Sequence, residues 1–179
     1  GLAKRKGNRN GLEISTDADL AGLYAITGQL KSRSGLYCEY DGMAVYWKSC
    51  FQKIMHRCDG EEPDQLATSS AESEAIAAHD ACKFGQHAKF VCQETDLPVP
   101  DKVKILIDAT AAKSFAENTG TVGKMKHIDL RAGWVNLLRN RGLHEFIKVP
   151  GTENKADFFT KILKANKVQE AIDRMMVDV

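Results

Sequence analysis

Residues 34–40 and 43–47 are two β-rich runs separated only by Asp41-Gly42, and this pair constrains the fold more than any other local feature. A two-residue connection between strands needs φ > 0 at its centre, which Asp-Gly tolerates, so the runs are expected to form a tight antiparallel hairpin. Residues 12–16 alternate apolar and polar side chains and lead directly into Asp17, the pattern of a half-buried strand. A long helical stretch follows the hairpin, entered at Ser69 and Glu72 with capping-box spacing and reaching about Gln93. Residues 103–107 read as a compact strand ending at Asp108, 109–117 as a short helix and 146–149 as a last strand. Between them, residues 128–139 carry Leu130, Trp134, Leu137 and Leu138 near helical spacing. From Lys155 onward helical patterning is expected to run through Phe158, Phe159, Ile162 and Leu163 toward Val168, Ile172 and Met175. The resulting order, β-β-β-α-β-α-α-β-α, predicts an α/β fold with a mixed sheet and helices packed on its faces.

A chain of 179 residues with 43% hydrophobic content suits one well-buried core, so residues 12–179 are expected to form a single domain. Residues 1–11 are polar, basic and aperiodic and read as a disordered lead-in or linker. No apolar run approaches the roughly 18 to 20 residues of a membrane span, and no signal-peptide pattern is present, so a soluble intracellular protein is expected. Five cysteines form an odd set without a CxxC pair, which argues for reduced thiols over a disulfide framework or zinc ribbon. His56 and Cys58 lack a second pair at ligand spacing and read as loop residues. The net charge of +1 conceals segregation: acids crowd 59–64, while Lys124, Lys126, Arg131, Arg139, Arg141 and Lys148 make a later stretch basic, which suits phosphate contacts or simply a solvated face.

The acids stand where α/β folds build sites. Asp17 ends the first strand, Asp108 ends the fourth, and Glu74 and Asp157 fall in the first turns of predicted helices. Inward-facing carboxylates gathered together require a cation or a proton. Glu72 and Glu74 compete for the helical position, and phase separates them. Ala77, Ala81, Phe84, Ala88 and Val91 form an apolar stripe that Glu74 continues, whereas Glu72 joins the face of Ile76, His79, Lys83 and Gln86 and suits capping. Each acid taken singly is equally consistent with capping a helix or ending a strand.

The residues also carry a family likeness. Asp17-Ala18-Asp19-Leu20-Ala21-Gly22 resembles the DADWAG start of copia-type retrotransposon ribonuclease H domains. Lys31 to Gly35 is similar to RSTSGY, Trp47-Lys48-Ser49 with Gln52-Lys53 to WSSKKQ, and Ser69 to Ala78 to SSAEAEYIAA, the helix with the catalytic glutamate. Ile107-Asp108 with Ala112 resembles CDNQSA, Lys126 to Arg131 resembles KHIDIR, and Val149-Pro150 through Lys161 resembles VPTEDQLADILTK. The resemblance runs in register from Leu12 to the C-terminus.

It implies a ribonuclease H-like fold, a five-stranded mixed sheet flanked by helices, with Asp17, Glu74, Asp108 and Asp157 as catalytic and metal-binding acids. The implied activity is endonucleolytic hydrolysis of the RNA strand of RNA–DNA hybrids during reverse transcription, with two Mg²⁺ ions, Mn²⁺ substituting. Lys124, Lys126, His127 and Arg131 are the implied nucleic-acid contacts, although His127 and Asp129 equally suit fixing the start of their helix. The implied partners are the hybrid and an upstream reverse transcriptase domain of the same polyprotein, with no membrane. The expected compartment is the cytoplasmic retrotransposon particle, or else the nucleus.

Departures from the family pattern are local. Leu20 replaces a tryptophan, Ala109-Thr110-Ala111 replaces a polar triplet after the third acid, and residues 54–66 hold an acidic insertion. Cellular ribonucleases H often carry a histidine before the last acid; residues 151–155 have none, which predicts slower turnover. Two other readings compete: a catalytically decayed nucleic-acid-binding or connection domain, and an integrase-like transferase. The second has its acids in the order Asp, Asp, Glu, whereas Glu74 here precedes Asp108.

Overall fold

The computed structural model describes residues 11–22, 24–28, 31–52, 70–108 and 126–175. Five strands, β1 (Leu12–Asp19), β2 (Arg33–Tyr40), β3 (Met43–Phe51), β4 (Val103–Ile107) and β5 (His144–Lys148), form one sheet in the order β3-β2-β1-β4-β5. β1 pairs antiparallel with β2 and parallel with β4, and β5 runs parallel to β4, so the predicted mixed sheet is present. The hairpin forms as read. Asp41 and Gly42 both take positive φ, 49° and 79°, and register runs from Tyr40↔Met43 to Arg33↔Phe51 with one irregularity at Cys38/Glu39.

The long helix α2 (Ser70–Glu94) lies across β1, β2 and β4 and meets α3 (Lys126–Asn140). Its buried line passes through Ala78, Ala81 and Gly85 to Cys92, with Ala88 packed beside it; small residues let the helix sit close to the sheet. Val91, expected in that line, is solvent-exposed and Cys92 takes its place. A stripe with 3.6-residue period drifts by about one position over five turns. Likewise Leu137 of α3 is exposed while Val135 and Leu138 enter the core beside Leu12, Ile14, Val103, Ile105 and Ile107. The four described cysteines are free.

Two further corrections concern helices. Tyr24–Thr27 forms a four-residue helix, α1, that the sequence pattern did not suggest. The continuous helix expected from Lys155 is instead two 3-10 turns, Gly151–Glu153 and Lys155–Phe159, a break, and then α4 (Ala165–Met175). Tertiary bonds explain the tighter winding: Lys155–Phe159 is held against β1 and β2, with Phe159 stacked on Tyr37 of β2 and its carbonyl accepting from Ser49 of β3. This turn covers the sheet face opposite α2, on whose side Tyr46 of β3 stacks on Phe84. Among the described residues no helix is long and apolar enough to cross a membrane. The expected 109–117 helix, the 54–66 insertion and the 1–10 lead-in lie outside the described residues.

Candidate active site

The parallel pairing of β1 with β4 brings Asp17 near the end of one strand beside Asp108, which immediately follows the other. Glu74, one turn into α2, points to the same place. One carboxylate oxygen from each of Asp17, Glu74 and Asp108 lies within 4.8 Å of the others, with Asp17 and Glu74 buried and Asp108 half-buried. Glu74, which helical phase directs inward, is thus the glutamate beside Asp17 and Asp108, while Glu72 is buried as well.

Burial first, and then the nearness of like charges, sets the protonation of Asp17 and Glu74. Burial pushes the Glu74 carboxyl up to about 8, reinforced by the charges of Asp17 and Asp108 and opposed by a backbone hydrogen bond from Ala18. Asp17 is pushed up to about 6, again mainly by burial, while a hydrogen bond from Thr160 opposes the shift and the Asp108 and Asp157 charges add to it. Hard oxygen donors, crowding and the lack of full neutralisation fit a divalent cation such as Mg²⁺ better than a soft metal.

Asp157 stands apart from the three. It lies in the 3-10 turn, close enough for its charge to be felt at Asp17, and its carboxylate is engaged by Lys161 four residues on. The Lys161 ammonium is correspondingly favoured by that bond. Of the basic residues, Lys124 lies outside the described residues. Lys126 and His127 open α3 with side chains outside the described part, and Arg131 is half-buried one turn further on.

Sequence reasoning missed two residues that hold the site together. Asn154 is 1% exposed; its Nδ2 donates to Thr16 O at 2.9 Å, and its Oδ1 accepts from Ala156 N and caps the turn. Thr160, fully buried, donates from Oγ1 to Asp17 Oδ2 at 2.5 Å. An Asn just before a helical run is a recognisable capping signal, whereas nothing local marks Thr160, whose partner is 143 residues away. Gly35, paired with Asp17 across β1 and β2, is required by this closure. A Cβ there would lie 2.6 Å from Ala156 O and 3.0 Å from Thr160 Cγ2.

A sheet of this order, with acids at the ends of β1 and β4 and on α2, defines the ribonuclease H-like class, and solved structures agree. LC11-RNase H1, isolated from compost by a metagenomic approach, superposes with a TM-score of 0.54 over 92% of this chain and 97% of its own at 15% identity. The same enzyme in complex with an RNA/DNA hybrid gives 0.51 over 90% and 99% at 14% identity. RNase H1 from the archaeon Halobacterium salinarum gives 0.50 over 92% and 98% at 13% identity. No family model matches the chain. In sequence it is 30% identical over 154 residues, 86% of its length, to the retrovirus-related Pol polyprotein from transposon TNT 1-94 of Nicotiana tabacum, of which it spans 10%. The chain thus has the ribonuclease H-like fold and is similar in sequence to part of a retroelement Pol polyprotein.

Proposed function

We propose that this domain is a metal-dependent endonuclease cutting the RNA strand of RNA–DNA hybrids during reverse transcription. The observation that carries the reading is the convergence of Asp17, Glu74 and Asp108 on one point of a ribonuclease H-like fold. Divalent cations bound there supply Lewis-acid polarisation of a phosphate and a water of lowered pKa. Asp17, Glu74 and Asp108 would hold such an ion, Mg²⁺ or Mn²⁺, and Asp157, now engaged by Lys161, would serve a second. Buried carboxylates without full counter-charge are pre-organised for this role, since ionising them without a cation is costly. Lys124, Lys126, His127 and Arg131 of the basic segment contact phosphates, and the hybrid's 2′-hydroxyls identify the strand to be cut.

The second reading, a decayed nucleic-acid-binding domain, draws on the engagement of Asp157 by Lys161. One experiment separates the two: the purified chain is incubated with a labelled RNA–DNA hybrid, with and without Mg²⁺, beside Asp108→Asn. Cleavage that needs both Mg²⁺ and Asp108 is expected. Binding without cleavage would leave the decayed domain, and equal cleavage by the variant would remove the assigned site.

A further inference from the structure

We infer that Thr160 is a positioning residue for Asp17, its hydroxyl fixing the direction in which the first carboxylate offers its oxygens to a cation. This rests on the metal-dependent reading above and names a residue that the carboxylate pattern does not contain. The argument begins with the two arms of one side chain. Thr160 Oγ1 donates to Asp17 Oδ2 at 2.5 Å, well inside the 3.0 Å to its other acceptor, Asp157 O. A hydroxyl has one proton, and a charged carboxylate at the shorter distance is the stronger acceptor. The methyl arm is set by Gly35, where a Cβ would come within 3.0 Å of Thr160 Cγ2. Gly35 is the residue paired with Asp17, so the methyl sits over one strand while the hydroxyl reaches its neighbour.

Burial makes this arrangement rigid. Thr160 has no exposed surface, and its backbone N–H closes the 3-10 turn on Asp157 O. Asn154 ties the other end of the same turn to Thr16 O, next to Asp17 in β1. A carboxylate held at one oxygen by a fixed donor cannot swing freely, and its remaining lone pairs keep one direction. Asp157, by contrast, is engaged among the described residues by Lys161, on a half-exposed surface. Partners outside the coordination shell orient ligands in this way, and removing one typically weakens metal binding about 10- to 100-fold.

The two arms can be cut separately. Thr160→Val keeps the methyl over Gly35 and deletes the donor; Thr160→Ser keeps the donor and deletes the methyl. Calorimetric titration of the purified chain with MnCl₂ and MgCl₂ is expected to show affinity lowered about tenfold or more in T160V and held near wild type in T160S. Melting of the metal-free proteins should show both variants destabilised, T160S by the lost methyl and T160V by the lost hydrogen bond, so that affinity and not stability separates them. Affinity in T160V equal to or tighter than wild type would overturn the inference while leaving the nuclease reading intact. Failure of the unmutated chain to bind either ion would overturn both. Should T160V not fold, T160A removes the same donor without the added methyl and is read by the same criterion.

Discussion

Among the described residues, a buried carboxylate group and a buried imidazole lie at opposite ends of the sheet, neither fully neutralised. At one, Asp17, Glu74 and Asp108 gather around the ends of β1 and β4. At the other, His144 opens β5, 2% exposed, with neither ring nitrogen hydrogen-bonded, under Gly85 of α2, where a Cβ would come within 2.9 Å of its Nε2. Burial lowers His144 to about 4, with Lys89 adding to the effect, and raises Glu74 to about 8. The same desolvation acts in both places with opposite sign. The acids have several like charges and a half-open member that a cation can reach. The imidazole is single, almost fully buried beneath Gly85, and is simply kept neutral. Burial alone does not make a site; convergence of like charges does.

The comparison breaks most visibly at the acids. Asp108→Asn should remove several kcal/mol of transition-state stabilisation, about a thousandfold in cleavage rate, measured on a labelled hybrid under single-turnover conditions. Next in size is the response to metal. The folded pKa values of Asp17 and Glu74 are raised, from 3.8 to about 6 and from 4.5 to about 8, so their contribution is present at low pH and lost as pH rises through those values. The folded pKa of His144 is lowered from 6.5 to about 4, so its contribution is present above 6.5 and lost as pH falls toward 4. Metal-free melting curves should therefore show opposing trends in the acid range and falling stability between pH 6.5 and 8, where Glu74 acts alone. Mg²⁺ at a hundred times its Kd should then add about 2.7 kcal/mol, and an unchanged melting temperature at pH 8 would contradict the cation site.

Smaller effects sharpen the contrast. Gly35→Ala forces a methyl against the Ala156 carbonyl and should lose about 1–3 kcal/mol, together with metal affinity, because the turn carrying Thr160 is pushed away from Asp17. Chemical denaturation and metal titration on the same protein would show whether the two losses travel together. At the other end, His144→Leu removes two unpaired ring nitrogens and should gain about 1 kcal/mol, flatten the acid side of the pH profile and leave cleavage unchanged. A loss of cleavage in H144L would mean that the two ends are coupled.

Much of this was legible in the sequence because it is local or periodic. Asp41-Gly42 specifies its own turn, β4 is a short apolar run, and the phase of α2 points Glu74 inward. The misreading from Lys155 onward has a different origin. Phe158, Phe159, Ile162 and Leu163 have helical spacing, but bonds to β1 and β3 wind Lys155–Phe159 as a 3-10 turn and end it at Thr160. Asp157 thus left the helix predicted for it and stands beside the three-acid group. The drift from Val91 to Cys92 is a matter of accumulated phase. Asn154 and Thr160 act through partners 138 and 143 residues away, a distance no local pattern encodes.

Those two separations also bear on when the protein becomes competent. The hairpin and α2 are made of near neighbours and can form as soon as they leave the ribosome, whereas the hydrogen bond that steadies Asp17 awaits residue 160. Synthesis at about 5–20 residues per second leaves an interval of roughly 7 to 29 seconds between the emergence of the first acid and its closure. During that time the nascent chain carries all the strands of its hairpin and none of its finished carboxylate group. The carboxylate group is therefore completed late, by residues 154–160.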